Sequence, residues 1–123
     1  KNQAQQKERE PLAAVTRALK LMANELGVPV MVLSSLNREA EKRTDKRPSI
    51  SDLRESGSIE SDADVVALLY REDYYDKDCD SRGELEAIIA KNRHGETGKV
   101  IMMFDRRRGL IAEMDRYYGE NYG

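Results

Sequence analysis

The sequence predicts an α/β layered domain, and the back half of one rather than a whole. Three observations carry this. Leu12, Val15, Leu19, Met22 and Leu26 recur at steps of three and four, the spacing of one helix face. Two unbroken apolar runs, residues 28–33 (VPVMVL) and 63–70 (ADVVALLY), have the composition of strands buried on both faces, as in a parallel sheet. Three further apolar segments follow at close spacing between turns, the pattern of an antiparallel meander. At 123 residues the chain is one small domain with a modest core.

Residues 1–10 are polar and glutamine-rich and read as a lead-in. Pro11 suits the first turn of the helix, where a missing N–H costs nothing. Gly27 suits a left-handed stop after Leu26. The helix has an apolar face to lay on the sheet and no chemistry of its own. The first strand tolerates Pro29 near its start and runs into Ser34, Ser35, Leu36, Asn37 and Arg38. Ligands gather at the carboxyl ends of strands in open α/β sheets. These hydroxyls and the amide are therefore either phosphate-sensing groups or a plain strand end.

Residues 39–50 hold Lys42, Arg43, Lys46, Arg47 and Pro48 without a period, and read as a long mobile loop. Residues 51–64, SDLRESGSIESDAD, then set serines and carboxylates around Arg54 and Gly57, with only Leu53, Ile59 and Ala63 apolar. Polar residues this dense between apolar strands read as a working loop. Its serines and carboxylates can also cap short helix starts. After the second strand, residues 71–83 are acidic and turn-rich, a solvated loop carrying Tyr74 and Tyr75. Residues 84–93 form a third strand, 94–98 (HGETG) a turn and 100–104 a fourth strand. A basic turn from Arg106 to Gly109 leads to a last short strand at 110–112. Met102 and Met103 read as core filling, and 115–123 as a tail.

Composition excludes several classes. Aromatic residues make up 6% of the chain against 39% apolar, so the core is aliphatic. The net charge of −2 gives no global nucleic-acid signature. Locally, residues 42–54 and 91–108 are basic and residues 72–86 acidic, a pattern that ordinary surface mixing also produces. Cys79 is the single cysteine and His94 the single histidine, so neither an internal disulfide nor a His-paired metal site can form. No apolar run approaches a membrane span and no signal peptide is visible, so a cytoplasmic protein is expected.

Two places could carry chemistry. Lys91 and Arg93 lie two apart at a strand end before a glycine turn, and so face the same side. Two cations aimed together suit a transferring phosphoryl group; on spacing alone a solvated pair is the simpler reading. The step Arg54-Glu55-Ser56-Gly57 puts a guanidinium, a carboxylate and a backbone N–H side by side. Such a group can hold a phosphodiester backbone without reading bases.

SDLRESGSIESDAD closely resembles the segment that marks DnaB-type replicative helicases, hexameric ring motors with a RecA-like fold. Upstream, VPVMVLSSLNREAEKRTDKRPSISDLRESG resembles that family's third helicase motif and the loop after it. Downstream, AIIAKNRHGETGKVIMMFD resembles its fourth. The likeness covers most of the chain from Leu12 to Met114. It implies that residues 11–114 are the second half of a RecA-like motor domain. It also implies that Arg93 is a finger on the γ-phosphate of ATP held by a neighbouring subunit, with Lys91 as its helper. Arg54, Glu55 and Gly57 would track single-stranded DNA in the central channel, without base preference. Ser34, Ser35, Asn37 and Arg38 would sense the nucleotide. The family usually has glutamine where this chain has Ser35; either a water replaces the missing amide or sensing is less sharp.

The sequence holds no GxxxxGK[ST] phosphate loop and no strand ending in a magnesium-holding aspartate. In the family both lie upstream, so ATP and magnesium are expected to bind mainly outside this segment, which alone should not hydrolyse ATP. The resemblance implies a homo-hexamer, with a helicase loader and primase as further partners and no membrane. A cut parallel sheet leaves an unpaired edge, which another copy is expected to mask. The rival readings are a non-enzymatic helicase remnant and a RecA-like module that binds DNA or senses nucleotide without unwinding.

Overall fold

The computed structural model describes residues 2–54 and 56–114, with the side chains of residues 2–12 and of Ser56 left aside. The chain divides into two units, Lys1–Val66 and Ala67–Gly123. The tail expected at 115–123 lies outside the described residues.

In the first unit, helix α1 spans Asn2–Leu26. It takes in the segment expected as a polar lead-in, because Gln, Lys, Glu, Arg and Ala are strong helix formers and need no apolar stripe to extend a helix. Pro11 therefore lies inside the helix rather than at its first turn, and removes one backbone hydrogen bond there. The stop is as the sequence indicates. Gly27 has φ 61°, and the Val28 N–H donates to the Ala23 carbonyl at 3.2 Å, the closing bond of a Schellman cap.

The helix is held by its polar face. The Thr16 hydroxyl donates to Asp62 Oδ2 at 3.0 Å, Arg17 pairs with Asp62 at 3.6 Å, and Lys20 Nζ bonds both oxygens of Asp64 at 2.6 and 2.7 Å. These contacts set α1 beside α2, Ser56–Asp62. Of the expected apolar stripe, Leu19 is half-buried while Val15, Met22 and Leu26 stay exposed.

The run at 28–33 is a second correction. It belongs to no strand of the described sheet and is exposed throughout, Met31 at 91% and Leu33 at 93%. A strand buried on both faces exists only with a neighbour on each side, and no described strand pairs with this run. The expected parallel pair is accordingly absent among the described residues.

The segment expected as a long mobile loop carries structure of its own. Glu39–Lys42 is a 3-10 turn that buries Ala40. Ile50–Asp52 is a second one, and an antiparallel bridge joins Leu36 to Leu53.

The sheet lies mostly in the second unit. Its strands are β1 (Val65–Tyr70), which starts in the last two residues of the first unit, β2 (Glu84–Asn92), β3 (Gly98–Asp105) and β4 (Leu110–Glu113), in the order β1-β2-β3-β4. β2 with β3 and β3 with β4 are antiparallel, so the meander read from the sequence forms. β1 buries Val66, Leu68 and Tyr70 but exposes Val65, Ala67 and Leu69. It is covered on one face, not two.

The acidic segment is not simply a solvated loop either. It starts with a short helix α3, Glu72–Tyr75, and buries Asp73. Asp73 Oδ1 accepts Arg71 Nε at 3.0 Å, and Oδ2 accepts the Gly83 N–H at 3.0 Å. Ser81 Oγ donates to Glu72 Oε2. The Tyr75 ring stacks on Tyr70 at 6.1 Å and meets Tyr74 edge-on at 5.1 Å. Arg71 lies over Phe104 at 4.9 Å. Buried carboxylates persist only when paired in this way.

Candidate functional site

In the first unit, the polar loop is built around Asp52, which is 2% exposed. Arg43 forks onto it, with Nη1 to Oδ1 at 3.0 Å and Nη2 to Oδ2 at 2.7 Å. Oδ2 also accepts the Ser49 N–H at 2.8 Å and its hydroxyl at 3.4 Å. The Arg43 hydrogen bonds, with those from Ser49, overcome burial and hold the Asp52 carboxyl at about 2. The Arg43 guanidinium is raised in turn, chiefly by the same bond. The Asp52 carbonyl accepts the Asn37 N–H at 2.7 Å, next to the Leu36–Leu53 bridge. The segment proposed to sense nucleotide and the one proposed to meet DNA therefore touch directly within this unit.

Arg54 follows at once. It is exposed in a turn and makes no ion pair among the described residues. Gly57 sits in the first turn of α2, where backbone N–H groups lack helical acceptors. A Cβ added there would meet nothing within 4 Å, so packing within the chain does not ask for glycine. Glu55, the third residue expected in this contact, lies outside the described residues.

Ser34, Ser35, Asn37 and Arg38 are all exposed. Among the described residues, Ser34 Oγ reaches only the Ser35 carbonyl, at 3.4 Å. The Asn37 side-chain oxygen is taken by the Glu39 N–H at 3.0 Å, and the Arg38 carbonyl accepts the Glu41 N–H at 3.2 Å. Asn37 thus opens the 3-10 turn.

In the second unit, β2 carries Lys91 to the end of the sheet, and Arg93 begins the turn that follows. Lys91 is half-buried and Arg93 exposed. The turn is fixed from beneath. Asn92 Nδ2 donates to the Glu96 carbonyl at 3.1 Å, and the Gly95 N–H reaches the Asn92 carbonyl at 3.4 Å. A Cβ on Gly95 would fall 2.7 Å from Asn92 Nδ2, so an alanine there would have to displace the amide that locks the turn.

In the first unit the donors are hydroxyls, an amide and guanidinium groups, and in the second they are the cations Lys91 and Arg93; each is a donor type that suits phosphate oxygens. No group of three or more His, Cys, Asp or Glu among the described residues is placed to hold a metal ion, and no described helix is long and apolar enough to cross a membrane. Sequence reasoning missed the Arg43–Asp52 fork. Its one legible trace is the Ser49-x-x-Asp52 spacing of a capping box.

The profile of the DnaB-like helicase C terminal domain matches residues 1–112. The replicative DNA helicase DnaB of Geobacillus stearothermophilus is 48% identical over 111 residues, covering 90% of this chain and 24% of that protein. That of Leifsonia xyli subsp. xyli is 52% identical over 105 residues, 85% of this chain and 23% of that one. A solved DnaB-like replicative helicase, described with its interactions with primase, superposes with a TM-score of 0.83 at 47% identity, over 86% of this chain and 25% of that one. A solved ATPase domain gives 0.80 at 49%, over 83% and 36%. The chain spans about a quarter of the length of the curated relatives it matches. With a family profile matched along nearly its whole length and close relatives on the same stretch, this chain belongs to the DnaB-like helicase C-terminal domain family.

Proposed function

We propose that this chain is part of a replicative DNA helicase that couples ATP hydrolysis to movement along single-stranded DNA and duplex unwinding. Arg93 supplies the arginine finger to a nucleotide on the neighbouring subunit, with Lys91 beside it. Arg54, Glu55 and Gly57 hold the DNA backbone, and Ser34, Ser35, Asn37 and Arg38 face the nucleotide. ATP with magnesium supplies the phosphoryl chemistry and is held mainly by parts of the helicase other than this segment, which alone is inactive. The working form is a cytoplasmic homo-hexamer, with a loader and primase as partners.

The observation that carries this reading is the exposed Arg93 on a turn that Asn92 and Gly95 hold in one shape. A cation presented on a fixed turn costs little reorganisation when it meets developing charge on a phosphoryl group. The test is made in the full-length helicase. Arg93→Ala should lower ATP turnover of the assembled ring by about 10³-fold or more, the usual scale of an arginine finger, while oligonucleotide affinity holds. Arg54→Ala should weaken single-stranded DNA binding and flatten its salt dependence by at least about 0.7 in log–log slope. Undiminished turnover in the first variant would sink the finger assignment.

A further inference from the structure

We propose that Asp52, gripped by Arg43, is the positioning residue that presents Arg54 to a single-stranded DNA backbone. The inference rests on the reading of residues 54–57 as the DNA-holding loop. Its ground is how the backbone reaches Arg54. Leu53 is buried and bridged to Leu36. Asp52 is fixed at both ends, its carbonyl by the Asn37 N–H and its carboxylate by Arg43 and Ser49. Arg54 therefore extends from two consecutive immobilised residues although its own side chain is exposed.

A three-residue 3-10 turn needs only the cap that Ser49 and Asp52 give each other. The guanidinium fork from nine residues upstream goes beyond capping. It ties the segment 39–47 to the loop, and Arg43 Nη2 also donates to the Arg47 carbonyl at 3.0 Å. The fork has a second consequence. A carboxylate two residues from a phosphate contact would repel the phosphate. With Arg43 bound to it bidentately, Asp52 stays ionised yet presents little net charge. A loop ordered before binding loses less entropy on binding, so its affinity exceeds that of the same contacts made by a slack loop.

The experiment compares Asp52→Asn, Arg43→Lys and Arg54→Ala in the full-length helicase. It uses anisotropy of a labelled oligo-dT at several salt concentrations, with assembly followed by sedimentation. Asp52→Asn should weaken binding about tenfold without flattening the salt slope, because the phosphate contacts are still made, from an unprepared loop, and the released Arg43 adds positive charge rather than removing it. Arg43→Lys keeps the charge and loses the fork, so it should fall between the two. Arg54→Ala should lose affinity and slope together. Wild-type affinity in assembled Asp52→Asn or Arg43→Lys, with Arg54→Ala impaired, overturns the inference and leaves the DNA loop standing. No effect in Arg54→Ala overturns the loop reading itself. If Asp52→Asn does not assemble, Arg43→Lys decides; failure of both to assemble makes the pair structural and overturns the inference.

Discussion

Each unit of the chain buries an aspartate that grips an arginine, and the two grips serve their working residues differently. Asp52 takes Arg43 from nine residues away and lies two residues before Arg54. Asp73 takes Arg71 from two residues away and the Gly83 N–H from ten. Between Asp73's grip at Gly83 and Arg93 runs the whole of β2, Glu84–Asn92, about 30 Å of strand. At that distance the hydrogen-bonded sheet and the turn at Asn92 hold Arg93, not the ion pair. On the proposed roles, an ionic anchor bears on function where the chain that follows it has no regular structure, and on stability where a strand intervenes.

The largest effect that would sharpen this contrast is that of Asp73→Ala. It leaves Arg71 and the Gly83 N–H without their acceptor, a local cost of about 2 kcal/mol. Hydrogen exchange of the intact protein should show faster exchange around residues 80–86. ATP turnover per assembled ring should stay within about twofold of wild type, since the turn carrying Arg93 is fixed by Asn92 and Gly95. A large fall in turnover would break the contrast, because the strand would then be transmitting the anchor's state.

Acid separates the two anchors next. At Asp73 burial works against ionisation, but the Gly83 N–H and Arg71 outweigh it and the carboxyl falls below its usual range. At Asp52 the Arg43 bonds dominate and bring it to about 2. A carboxyl depressed in the folded state adds stability that is complete above its unfolded value, near pH 4, and is lost as pH falls through the folded value. Protection of the Ser49 and Leu53 amides should thus hold at pH 4 and decline towards pH 2, once corrected for intrinsic exchange. In Asp52→Asn it should be weak at both and nearly independent of pH. Equal pH dependence in the two proteins would show that Asp52 is not the group that titrates.

What could be read in advance follows the range of the interaction involved. The meander was legible because its apolar runs and the turns at 94–98 and 106–109 are local signals. Gly27 was legible because a left-handed cap is a matter of one residue and its two neighbours. The run at 28–33 was not, because apolar composition states that a segment wants neighbours and cannot supply them. Arg54, Gly57 and Arg93 could be singled out by resemblance, and Arg54 and Arg93 are exposed. The anchors behind them could not. Arg43 and Asp52 sit among several like charges, and only the folded path selects which arginine meets which carboxylate. Asp73 was hidden in an acidic segment in which any of the carboxylates could have been the buried one.

The smallest effects come from two glycines at opposite ends of β3. Gly109 has φ 63°, and a Cβ there would meet nothing within 4 Å. Gly109→Ala should therefore cost only the left-handed backbone preference, about 1 kcal/mol. Faster exchange should be confined to the β3–β4 pairing near Asp105 and Leu110. Gly95 lacks the positive φ but has Asn92 Nδ2 at 2.7 Å from where a Cβ would stand. Gly95→Ala must push that amide off the Glu96 carbonyl, at a similar cost of about 1 kcal/mol. Equal in stability, the two substitutions should differ in function: Gly109→Ala keeps turnover, and Gly95→Ala lowers it by freeing the turn that presents Arg93. If both leave turnover alone, the fixed turn is not what makes Arg93 effective, and the strand end at Lys91 must be holding the pair instead.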